Sequence, residues 1–100
     1  MSKSTLMKET QINIDGKKLT GVEVALPGAP LVLAHGENGF VMCGYLNIET
    51  ADKLGVAAAL VRGVNTVDDL LKASIQAVSK AAAAKGIVLG MTGRDALARL

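Results

Sequence analysis

The sequence predicts an α+β domain: an N-terminal antiparallel meander, then helix, strand, two helices, strand and helix, forming a mixed sheet with helices on one face. Three observations carry this expectation. Apolar segments of strand length are separated by the hairpin signals Asp15-Gly16 and Asn38-Gly39. Helix-spaced apolar residues bounded by capping residues come later in the chain. Strands cluster first and helices second, the order of an α+β fold rather than a strict alternation.

The elements follow in turn. Residues 1–9 are polar and read as a frayed leader, with a single domain over residues 10–100. Ile12 and Ile14 alternate with Gln11, Asn13 and Asp15, a strand entering the Asp15-Gly16 turn. Val22, Val24 and Leu26 share the face opposite Glu23, so the next strand is expected to bury its valines, with Gly21 marking a bulge. Leu31 to Ala34 and Phe40 to Cys43 are apolar at both parities and predict strands covered on both faces. Glu49 to Leu54 suits a short helix stopped by Gly55, and Ala57 to Val61 is another doubly apolar strand.

After the return connection Gly63-Val64-Asn65, Thr66 with Asp69 three residues on opens a short helix from Val67 to Lys72. Ser74 is the expected cap of a longer helix, Ile75 to Lys85, because Ile75, Val78 and Ala82 fall on one stripe and Gly86 supplies a left-handed stop. Ile87 to Gly90 is the last expected strand. Thr92 caps the final helix, which turns Leu97 and Leu100 inward. Three strands thus require cover on both faces while the helices are few and short, so a second copy of the chain is the expected source of the missing layer.

Composition narrows the function. Of 100 residues 50% are hydrophobic but only 2% aromatic, which removes the stacking platform that single-stranded nucleic acids use. The net charge of +2 comes from lysines scattered along the chain, not from a basic stripe, so no nucleic-acid partner is expected. The leader has no apolar segment of signal-peptide type, and Val56 to Val61 is far short of the ~20 residues of a membrane span. Cys43 is the single cysteine, which excludes an internal disulfide and fits a cytoplasmic protein with no membrane partner.

Three blocks, Gly39-Phe40-Val41-Met42-Cys43-Gly44-Tyr45-Leu46, Gly63 to Leu71 and Gly86 to Leu97, resemble those of the YunC-like family of small uncharacterised bacterial and archaeal proteins, with similar spacing. The resemblance covers roughly residues 10–100. It implies a compact α+β domain of cytoplasmic type and no established activity, so no catalytic residues are carried over.

The candidate chemistry is sparse. Gly90-Met91-Thr92-Gly93-Arg94 passes from an expected strand into a helix, where free amide donors, a glycine and a guanidinium together suit a small phosphorylated or carboxylated metabolite. Thr92, Gly93 and Arg94 are therefore the expected ligand-binding residues. Cys43 is a weak candidate nucleophile, more simply a small buried hydrophobe, and either hairpin register puts it on the face opposite His35. Gly44, beside it, is expected to make room for a side chain packed above, the alternative being a notch in the sheet. Asp68 and Asp69 suit the first turn of a helix without any acid–base role. His35, Glu37 and Asp15 do not make a metal site by sequence alone, so neither a metal nor a cofactor is assigned. The alternative to metabolite binding is a non-catalytic, homo-oligomeric assembly protein.

Overall fold

The computed structural model describes residues 7–44 and 46–100, among which six strands and four helices occur. In chain order they are β1 (Met7–Ile14), β2 (Lys17–Val24), β3 (Leu31–His35), β4 (Gly39–Met42), α1 (Ile48–Leu54), β5 (Ala57–Leu60), α2 (Val67–Lys72), β6 (Ala77–Val78), α3 (Lys80–Ala84) and α4 (Gly93–Leu97). The strands form one mixed sheet in the spatial order β1-β2-β3-β4-β5-β6. All neighbours are antiparallel except β4 and β5, which run parallel and are joined through α1. The α+β class and the meander are as the sequence predicts. No helix is long and apolar enough to cross a membrane among the described residues.

Local chemistry sets most of the boundaries. Asp15 and Gly16 both take positive φ, 52° and 84°, as a two-residue hairpin turn requires. Asn47 caps α1 by accepting from the Glu49 amide, and Gly55 ends it in the left-handed conformation. Thr66 and Thr92 cap α2 and α4 by accepting from Asp69 and Asp95.

The sheet has two unlike faces. On the inner face Val32, Ala34, Val41, Cys43, Ala57, Ala59 and Val61 form one core with Leu70 of α2, Ala82 of α3 and Leu97 of α4. On the outer face Met42, Ala58 and Leu60 pack with Ala51 of α1, and Leu33 and Phe40 lie half-buried at the margin. The expectation of helices on one face therefore holds for α2, α3 and α4. The crossover helix α1 takes the other face, since the parity of β4 and β5 leaves large apolar residues there too.

Five local expectations are corrected. The strand begins at Met7, so Met7, Lys8 and Glu9 belong to β1 and not to a leader; residues 1–6, like Tyr45 of the first family block, lie outside the described residues. Gly21 is no bulge: it pairs in register with Thr10, and a Cβ there would stand 2.8 Å from both γ-methyls of Val67. The β3–β4 turn is Glu37-Asn38 rather than Asn38-Gly39, because His35 pairs with Phe40 and the Gly36 amide donates to the Gly39 carbonyl. Gly39 is instead needed where β5 approaches, since a Cβ would collide with the Ala57 carbonyl.

The fourth correction is the largest. Ser74 caps nothing but forms a bridge with Thr92, residues 77–78 are a strand, and the helix shrinks to α3 with Ser79 as its cap. Ser79 is fully buried, and its hydroxyl donates to the Val56 carbonyl at 2.8 Å while accepting from the amides of Ala58 at 2.9 Å and Ala82 at 3.3 Å. That is the full bonding capacity of a hydroxyl. One side chain thus closes the edge of β5 and starts a helix. The expected strand from Ile87 to Gly90 is a turn, with Val88 and Leu89 exposed.

Candidate functional site

The expected anion turn is engaged by the protein itself. The Gly93 amide donates to the Ala73 carbonyl at 2.9 Å, and the Asp95 amide donates to the Thr92 hydroxyl at 3.1 Å. Gly93 is buried against α2, where a Cβ would collide with the Leu70 carbonyl. The absence of a side chain at Gly93 is therefore required for the contact between α4 and α2. Arg94 is exposed, so of the three residues only its side chain faces solvent freely.

The other motif singled out by sequence, Cys43-Gly44, lies where β4 ends. Cys43 follows β4, Arg62 to Asn65 follow β5, and both segments leave the sheet at the same end because the two strands are parallel. Ligands in open sheets with parallel strands collect at those carboxyl ends, where loops diverge toward successive helices. A cleft of about 390 Å³ sits there, lined by Ala29, Pro30, Cys43, Gly44, Gly63, Val64 and Asn65. This is within the ~300–1,000 Å³ range of small-molecule sites.

Each lining residue has a local reason for its place. Gly63 turns the chain with φ of 72°, a left-handed value that lets the loop double back from β5 toward α2. The Asn65 amide donates to Asp69 at 3.1 Å, which fixes the loop to the first turn of α2 and gives Asp69 a structural role. Glu23, half-buried on β2, accepts from the Val67 amide at 2.8 Å and so holds the start of α2 from the sheet side. Glu23 thus points to the helices, and Val22 and Val24 lie on the outer face, the reverse of the parity expected from sequence.

Cys43 is buried, 4% exposed, and its Sγ accepts from the Val32 amide at 3.4 Å. His35 pairs with Phe40 on the outer face, whereas Cys43 faces the inner core, so thiol and imidazole stand on opposite sides as the register argument requires. Gly44 is exposed, and the nearest side-chain atom to its missing Cβ is Arg62 Nη1, at 3.5 Å. No three His, Cys, Asp or Glu side chains gather to hold a metal among the described residues. The lining loop Gly63–Asn65 reads from sequence only as a connection, because what makes it part of a site is a parallel pairing between strands distant in the chain.

Known proteins give the chain its family. A family model described as "Domain of unknown function (DUF1805)" matches residues 42–100, which include both cleft segments, Cys43-Gly44 and Gly63 to Asn65. The chain is 37% identical over 95 residues to the "Uncharacterized protein YunC" of Bacillus subtilis, covering 91% of this chain and 94% of the relative. It also superimposes on the crystal structure of a protein of unknown function, TA1206 from Thermoplasma acidophilum, with a TM-score of 0.90 and 39% identity, over 94% of this chain and 92% of that one. Sequence and fold agree across almost the whole length, and the chain belongs to the YunC-like family that carries the DUF1805 domain.

Proposed function

We propose that this chain binds a small metabolite in the cleft at the carboxyl ends of β4 and β5, between Cys43-Gly44 and Gly63-Val64-Asn65. The observation that carries this reading is the position of the ≈ 390 Å³ cleft at the one parallel strand pair among the described residues. The Thr92–Arg94 turn supports metabolite binding less well, since its Gly93 and Asp95 amides are spent on the fold. A cytoplasmic setting, in which Cys43 stays reduced, is part of the reading. A thermal-shift panel of nucleotides, sugar phosphates and organic acids tests it. A ligand at 100 times its Kd raises stability by about 2.7 kcal/mol. Asn65→Trp, which places bulk over the cleft from an exposed position, is expected to abolish that gain. No stabilisation across the panel overturns the reading.

A second reading has its own support. Val22, Val24, Leu33 and Phe40 are half-buried, and α1 covers the outer face only toward β5. We propose that a second copy of the chain covers the remainder. Light scattering after size exclusion is expected to return a multiple of the 10.3 kDa chain mass. A strictly monomeric species at micromolar concentration overturns it.

A further inference from the structure

We infer that the cleft takes a small acid, a carboxylate or phosphate on an uncharged body, and that Arg62 is the residue that selects the acid group. The inference rests on the cleft reading above and adds the chemistry and orientation of the ligand.

Arg62 follows Val61 directly beyond β5. Val61 belongs to the inner core, so the strand's alternation sends Arg62 to the other side of the sheet. Gly44, one residue past inward-facing Cys43, lies just beyond the end of the neighbouring parallel strand β4. With no side chain at Gly44, the Arg62 guanidinium lies across the gap, its Nη1 3.5 Å from where a Cβ would stand. Gly44 lines both the cleft and an adjoining hollow of about 310 Å³ that Arg62 lines, so the two spaces meet at Gly44, beside the guanidinium. Among the described residues Arg62 has no hydrogen-bond or ion-pair partner.

The orientation of a ligand follows from the groups nearest each end. Glu49 lines the same hollow as Arg62 on the α1 side, and Asp69, outside the cleft lining, accepts from the Asn65 amide. An anion placed near Asn65 would face a carboxylate, whereas one at Gly44 meets the guanidinium fork. Between these ends the wall is Ala29, Pro30 and Val64, which suits an uncharged, partly apolar body. The glycine at 44 is what admits the acid group next to Arg62.

An NMR titration of the full-length chain tests this with three probes of one body: butyrate, butyl phosphate and the uncharged control butyramide. Both anions are expected to shift the Gly44, Gly63 and Asn65 amide resonances, and to bind more tightly than butyramide. Arg62→Gln, at an exposed position, is expected to weaken the anions about 10- to 100-fold, the range for losing a charge-assisted bond. Arg62→Lys keeps part of the affinity, and Arg99→Gln, at an exposed position outside both spaces, leaves it unchanged. The order of butyrate and butyl phosphate tells a carboxylate from a phosphate site. If butyramide binds as well as butyrate, or Arg62→Gln changes nothing while Gly63 and Asn65 still shift, the acid selection by Arg62 is wrong and the cleft reading stands. If none of the three probes shifts cleft residues up to about 10 mM, weaker than any useful metabolite site, the cleft reading falls with it.

Discussion

The two faces of the sheet begin from equally apolar strands and end differently. On the inner face α2, α3 and α4 bring Val32, Val41, Ala59, Val61, Leu70 and Leu97 to complete burial. On the outer face α1 buries Met42, Ala58 and Leu60, while Val22, Leu33 and Phe40 keep partial exposure. The contrast teaches that two-sided apolar patterning reports a need for cover without naming its source. One face is covered by the chain's own helices, and the other is covered only beside its crossover helix.

Substitutions can break or sharpen this comparison. The largest effect is expected from Leu97→Ala on the inner face, a fully buried side chain in closed packing: a loss of about 2–5 kcal/mol, read from urea unfolding. A loss below about 1 kcal/mol would mean that α4 is not an integral layer. Ser79→Ala is expected to cost about 1–3 kcal/mol, because it strands the Ala58 and Ala82 amides and the Val56 carbonyl in a site without solvent. Hydrogen exchange should then rise first at Ala58. The smallest effect is expected from Leu33→Ser on the outer face, about 1 kcal/mol or less in the dilute chain. If a second copy covers that face, the same variant loses more as protein concentration rises, and the unfolding midpoint of the parent chain climbs with concentration while the variant's does not.

Legibility in the sequence divides along the same line between local and distant causes. The Asp15-Gly16 turn, the caps Thr66 and Thr92 and the stop at Gly55 follow from residues that act on their immediate neighbours, and the structure places them as read. The stretch from Ile75 to Val78 fits a helical stripe equally well, yet it becomes β6 because the free edge of β5 takes its amides: Gln76 donates to Leu60 and Ser79 to Ala58. The parity of β2 misleads for a similar reason. Glu23 turns inward to hold the Val67 amide, and Gly21 leaves room for the Val67 side chain, both contacts with residues over forty positions away. At the site, glycine beside cysteine offers the Gly44 notch as one of two readings, whereas the opposite wall depends on the parallel pairing of β4 and β5. The Thr92–Arg94 turn reads as an anion site only if its amide donors are free, and the Ala73 carbonyl at the end of α2 accepts from one of them, that of Gly93.

The strand β5 carries one more consequence. Ala57, Ala58 and Ala59 present only methyl groups, to the inner core on two sides of Ala58 and to α1 at Ala58 itself. Enlarging any of them must displace a layer, and the layers in question lie on opposite sides of the same backbone. Change at these three positions is therefore constrained jointly: a bulkier residue toward α1 tilts the strand against the helices behind it, so tolerated variants require compensating reductions across the sheet.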